Sequence, residues 1–310
     1  MRDRVLDDAT RILKKGGFAV SDTCNIRPKS FDVVARRGDL VLLLKVLVNI
    51  DGLDTETAAE MRALAAHLDA KSIIVGVKTR DHELEDGVLY LRRGVPAMSR
   101  GTAHDYFVEG VPPLVYMGSG GLYVNIDGEL LEDARDDEDM SLGKVADELG
   151  VSRRAVSKYE DGMDATLDVA LRLEDMFGER LISPVEVFDD GEGDEDEGTT
   201  ADEPVDETER RVFAILRNAG FDVVPTARAP FRALSRESDE TVLTGTGARG
   251  SDIVKRARLM SSISDVARTE SVYVVDDKPA RDSVEETAIL EVEDLENVDG
   301  SDDLLSRIEG

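Results

Sequence analysis

The chain has 310 residues, about two domains' worth with three small ones allowed. Charged residues make up 34% and apolar ones 41%, which excludes a disordered or membrane-embedded class. Its 38 basic and 67 acidic side chains give a net charge of −29 and a pI near 4.4, a balance that by itself argues against nucleic-acid binding.

That argument weakens on inspection of where the acid lies. It is spread along the whole chain, and Arg outnumbers Lys, the pattern of a cytosolic protein from a salt-in halophile. At about 1 M salt the Debye length is about 3 Å, so long-range repulsion from phosphates is nearly abolished. Local chemistry must decide the partner. The longest apolar run, Leu40 to Val48, is broken by Lys45 and too short to span a bilayer. MRDRVLDDAT lacks the apolar core of a signal peptide. A single cysteine, Cys24, allows no intrachain disulfide and no cysteine-based zinc cluster, so a reducing cytoplasm is expected.

In chain order, Val5, Leu6, Ala9, Ile12 and Leu13 have helical spacing, and Gly16-Gly17 stops that helix. Phe31 to Ala35 and Leu40 to Ile50 read as strands around an Arg36-Arg37-Gly38-Asp39 turn. Met61, Leu64, Ala65 and Leu68 mark a second helix, and Ile73 to Val77 a buried strand. Residues 1–112 are therefore expected to form an α/β domain. Pro112-Pro113 breaks the chain. Gly118-Ser119-Gly120-Gly121, between two apolar runs, predicts a hairpin connector over 113–128.

Residues 129–188 are the most helical region. Ser141 can cap a helix bearing Leu142, Val145, Ala146 and Leu149, and Gly150 supplies a turn. Ser152 caps the next helix, whose inward face is Val156 and Tyr159; Asp161-Gly162 ends it. Leu167, Ala170, Leu171 and Leu173 predict a further packing helix. This spacing leaves Ser152, Arg153, Arg154, Ser157 and Lys158 facing outward, a local inversion of sign on a chain at −29. Arg can grip guanine with two hydrogen bonds, while Lys and Ser suit phosphate oxygens.

SLGKVADELGVSRRAVSKYEDG resembles the helix-turn-helix of the Cro/CI type, and the whole layout resembles archaeal helix-turn-helix transcriptional regulators. The resemblance implies that the helix from Ser152 to Tyr159 enters the major groove of double-stranded DNA. It also implies a homodimer whose two such helices stand about one DNA turn, 34–36 Å, apart. The first helix departs from the pattern: Glu132-Asp133-Ala134-Arg135-Asp136-Asp137-Glu138-Asp139 is acidic where related domains carry basic residues.

Asp32, followed 13 residues later by Lys45, resembles the restriction-endonuclease-like fold that includes Holliday junction resolvases. That fold needs a second acid in an acid-x-Lys, where this chain reads Leu43-Leu44-Lys45. Leu43 cannot ligate a cation, and hard cations want several oxygens. No catalysis, metal or cofactor is expected there.

Asp189 to Glu207 is almost all acidic residues, Gly and Thr, and reads as a solvated linker. Residues 208–310 repeat the first segment. Ile215 to Val223 lines up with Ile12 to Val20, Phe231 with Phe31, and Ser271 to Val274 with Ser72 to Val75. This copy places Arg232 opposite Asp32 and Gly245 opposite Lys45, so it too reads as non-catalytic. Gly245 to Gly250 is a G-x-G-x-x-G, read as a βα loop because too little chain follows for a dinucleotide fold. His67, His82 and His104 lack metal spacing, and Cys24 reads as a small packing residue.

The expected fold is thus multidomain α/β plus all-α: two small nuclease-like α/β domains flank a helical Cro/CI-type domain. The expected function is a sequence-specific DNA-binding transcriptional regulator. A divergent structure-specific nuclease and a protein–protein assembly module are the alternatives. The operator and any small-molecule effector are beyond the sequence.

Overall fold

A computed structural model of the chain describes residues 1–178, 180–188, 207–238, 240–247, 251–276, 281–298 and 300–309. The linker expected from Asp189, up to residue 206, and the 248–250 end of the G-x-G-x-x-G lie outside the described residues.

The first unit opens with α1 (Arg2–Lys15), β1 (Ala19–Val20), β2 (Val33–Arg37) and β3 (Leu40–Asn49). Then come α2 (Thr55–His67), β4 (Ala70–Lys78), β5 (Val88–Arg92) and β6 (Val95–Met98), and α3 (Arg100–His104), which runs on into a π-turn. α1 buries Val5, Leu6, Ala9 and Leu13 on one stripe, as their spacing predicts. β3 is buried on both faces, hence its apolar residues on either side of Lys45. The two faces separate by the period-2 pleat. Val33, Ala35, Leu42, Leu44 and Val46 meet α1. Val34, Val41 and Leu43 face the other way.

The hairpin β7 (Val115–Gly118) and β8 (Gly121–Ile126) is more than a connector. β7 pairs in parallel with β5, so the hairpin extends the first sheet. β8 in turn pairs with β9 (Ala165–Thr166), which lies within the helical region, and with β10 (Ile182–Ser183), which follows it. That region holds α4 (Gly128–Asp137), α5 (Leu142–Leu149), α6 (Arg153–Glu160) and α7 (Leu167–Phe177). Beyond β10, Val187 is buried in the first unit's core, and Phe188 packs edge-on against Tyr106. Tyr116 donates to the Asp164 carboxylate at 2.5 Å. Burial and that carboxylate both push the phenol's pKa up, so it stays a donor. The helical region is thus held to the first unit by continuous sheet.

The last segment repeats the first. It runs α8 (Glu207–Asn218), β11 (Asp222–Pro225), β12 (Ala233–Glu237), β13 (Glu240–Thr246), α9 (Ser251–Ala267), β14 (Glu270–Val275), β15 (Ser283–Val284) and β16 (Thr287–Glu291). α10 (Val292–Glu296) and α11 (Ser301–Glu309) close it. Its strand order, β11-β12-β13-β14-β16-β15, is the order β1-β2-β3-β4-β6-β5 of the first unit. Register agrees as well: Val33 faces Leu44, and Ala233 faces Thr244.

The two units pack face to face about a local pseudo-two-fold axis. One apolar core takes Phe31, Val34 and Leu43 from the first and Phe231, Leu234 and Leu243 from the second, each pair at equivalent positions. The polar margin obeys the same symmetry. Arg36 donates to the carbonyl of Ala267 at the end of α9 (2.8 Å) and Arg236 to that of His67 at the end of α2 (3.4 Å). Cys24 lies in this core at 1% exposure, and burial pushes its thiol pKa up. A thiol reagent is therefore expected to label native protein only as fast as the two units part. Labelling that keeps pace with a free thiol in native conditions would contradict this packing.

Candidate nucleic-acid interface

α4 to α7 close around Leu131, Val145, Ala146, Leu149, Val156, Tyr159, Ala170 and Leu173. The starts of α4, α5 and α6 are capped by the residues their sequence offers, while Thr166 before α7 makes no side-chain cap bond. Asp127 accepts from Leu130 N–H, Ser141 from Lys144 N–H and Ser152 from Ala155 N–H. Gly150 ends α5 at φ 69°, a left-handed conformation that favours glycine. Ala146 is small where α5 and α6 cross. Gly128 allows an even closer approach: a Cβ there would stand 2.2 Å from the Glu160 carbonyl oxygen, so α4 begins against the end of α6.

Leu171 differs from its predicted packing place. It stands 47% exposed, because it follows buried Ala170 by one residue and so turns about 100° off the apolar stripe.

α6 places Ser152, Arg153, Arg154 and Lys158 in solvent and leaves Ser157 half-buried at its shoulder. No carboxylate among the described residues forms an ion pair with Arg153, Arg154 or Lys158. Lys144, exposed in the first turn of α5, adds a cation that the sequence reading passed over. Two helix starts, Ser141 and Ser152, thus carry both unpaired N–H groups and basic side chains, a combination suited to phosphate.

The acidic departure on α4 has a structural outlet. Glu132, Asp133, Asp136 and Asp137 are exposed, while Arg135 turns inward. Arg135 grips Glu160 with Nε at 2.5 Å and Nη2 at 3.3 Å. The Glu160 carboxylate, bonded in this way, raises the guanidinium pKa further. This bond fixes α4 to the end of α6. Its signal in the sequence was only a lone cation inside an acid run.

The other candidate place, on the first unit, is closed. Asp32 is fully buried. Its Oδ1 meets Arg2 Nη2 and Lys29 Nζ, both at 2.5 Å, and its Oδ2 accepts from Val46 N–H at 2.7 Å. Burial alone would raise its pKa, but the Lys29 and Val46 bonds outweigh that and hold the carboxyl below its ordinary value. Lys45 Nζ donates to the carbonyls of Lys29 (2.8 Å) and Ser30 (3.0 Å), not to Asp32. Leu43, where a second acid would stand, lies in the apolar core between the units. A divalent cation does not fit here: one carboxylate is already taken by two cations, and among the described residues no second carboxylate joins it. Among the described residues no group of three His, Cys, Asp or Glu could hold a metal. His67, His82 and His104 lie apart on different elements.

The second unit carries other residues at the matching positions. Arg232 pairs with Glu209, reversing the charges of the Arg2–Asp32 pair. Gly245 stands where Lys45 does, and a Cβ there would meet the Tyr273 ring at 2.5 Å.

Comparison with known proteins agrees with this division. The family model of the PD-(D/E)XK superfamily domain matches residues 2–113, and that of a helix-turn-helix matches residues 131–182. No solved structure matches the chain. Proteins provisionally named HTH-type transcriptional regulatory proteins are similar along nearly its whole length. Those of Halobacterium salinarum and Haloarcula marismortui are each 52% identical over 98% of this chain and 95% of their own. One from Methanosarcina acetivorans is 46% identical over 96% of this chain and 94% of its own. At such identity over such length, with its nuclease-like domain followed by a helix-turn-helix, the chain belongs to this family of archaeal HTH-type proteins.

Proposed function

We propose that the protein is a sequence-specific DNA-binding transcriptional regulator that reads the major groove with α6. The observation that carries this is the exposed, unpaired cationic face of Arg153, Arg154 and Lys158 on the second helix of the motif. The names borne by its relatives support the same reading. In this reading Arg153 and Arg154 contact base edges, while Ser152, Ser157 and Lys158 position the helix on phosphates. The α/β units contribute no cleavage, since Leu43 stands where the first needs its second acid, and Arg232 and Gly245 stand where the second needs its acid and its lysine. A cytoplasmic location suits such a partner; among the described residues no helix is long and apolar enough to cross a membrane.

Each chain carries one such helix, so a homodimer on two half-sites is the arrangement proposed. The internal pairing of the two α/β units favours a second reading. A fold that already carries its own two-fold partner can bind as a single chain to one unrepeated site. Footprinting on genomic DNA in molar KCl, with light scattering of the complex, decides between them. Two protected segments about one turn, 34–36 Å, apart under two chains mark the dimer. A single segment under one chain marks the monomer. No protected segment at any salt overturns the regulator reading.

A further inference from the structure

We infer that the first unit supplies its own cations in place of a metal, and that Asp32 and Lys45 now act as positioning residues holding the 24–30 loop as the seat of the second unit. The chain of contacts is continuous. Arg2 and Lys29 both sit on Oδ1 of Asp32, the oxygen that a cation would need. Lys29 also reaches the carbonyl of Cys24, and Cys24 N–H donates to the Asp32 carbonyl at 2.8 Å, which closes the loop on itself. Lys45 spends its donors on the carbonyls of Lys29 and Ser30 in that same loop.

The loop then meets the second unit. Ser30 N–H donates to the Arg228 carbonyl at 2.9 Å. On the far side of that segment, the N–H groups of Ala227 and Arg228 donate to the Glu60 carboxylate on α2 at 2.8 and 3.0 Å. The second unit is therefore gripped between the loop and α2. The bonds of Lys45, and the Lys29 ammonium that Asp32 holds, thus serve the 24–30 loop on which this grip rests. Carbonyls buried under a lysine lose their partners when it is removed, and unmade bonds of that kind are costly.

The test uses the full chain in molar KCl, with two readouts. Manganese alone, followed by electron paramagnetic resonance, should remain free in the presence of wild-type protein. Lys45→Met should speed the labelling of Cys24 by about tenfold or more, while circular dichroism stays unchanged. If Lys45→Met does not fold, Lys29→Met takes its place, since it removes both a cation from Asp32 and the bond to the Cys24 carbonyl. Manganese bound by the wild type and lost in Asp32→Asn overturns the inference. So does a Cys24 labelling rate that neither lysine substitution moves. Neither readout involves DNA, so failure here leaves the regulator reading standing, and the reverse holds too.

Discussion

The double variant Arg153→Ala/Arg154→Ala is expected to lose specific DNA binding by a factor of about 30 to about 10⁴ in molar KCl. Each bidentate arginine–guanine contact is worth about 1–3 kcal/mol of discrimination, and each 1.4 kcal/mol is tenfold in affinity. The salt condition matters to the argument. At about 1 M the Debye length is about 3 Å, so the −29 charge no longer repels the duplex, and the general attraction of Lys for phosphate fades with it. What survives is short-range and directional, which is arginine chemistry. Both side chains are exposed and unpaired, so the unfolding curve should stay within about 0.5 kcal/mol of wild type. Lys158→Ala should behave differently, weakening all duplexes alike and flattening the salt dependence. Competition between operator and random duplex, followed by fluorescence anisotropy, separates the two patterns. An unchanged preference in the double variant would remove α6 as the reading surface.

Much of this site was legible because its signals are local. Ser141, Gly150 and Ser152 specify helix ends within a few residues, and the 3.6 spacing of Val145, Leu149, Val156 and Tyr159 specifies the buried face. The repeat was legible for the same reason, since Ile12 to Val20 and Ile215 to Val223 each record one helix turning into one strand. The contacts that cross 200 residues left no such trace. Nothing in Val34, Leu43 or Leu64 says that their cluster also takes in Leu234 and Leu243 of the other unit. The hairpin's fusion to the first sheet was hidden likewise, because β5 is short and meets β7 only in parallel across a long connection. Leu171 shows the opposite error: an apolar residue beside a stripe was counted into it, although one step along a helix changes the face.

The same long-range packing explains why the acid-x-Lys cannot simply be rebuilt. Leu43→Glu restores its letters, yet it is expected to yield a chain destabilised by about 3–5 kcal/mol, with no magnesium- or manganese-dependent cleavage of duplex or branched DNA. The site of the substitution is fully buried, beside Phe31 and Val34 and against the apolar face of the second unit. A carboxylate there would have no donor, and Arg2 and Lys29 are already held by Asp32. Since whole domains are stable by only about 5–15 kcal/mol, the units should part or unfold under mild denaturant. The pH dependence has a definite sign. Burial raises the pKa of the new carboxyl in the folded state above its unfolded value of about 4.3, so folding favours the protonated form. Relative to wild type at the same pH, the defect should be smallest below about pH 4.3 and grow as pH rises through the folded pKa. Leu43→Met, similar in volume and uncharged, should cost less than about 1.5 kcal/mol at any pH. Denaturant midpoints of the three proteins across pH decide the matter. A stable Leu43→Glu chain that cleaves DNA would mean the face between the units opens to solvent and metal, against the packing that buries it. A stable chain that does not cleave would mean that burial between the units is not what keeps an acid from this position.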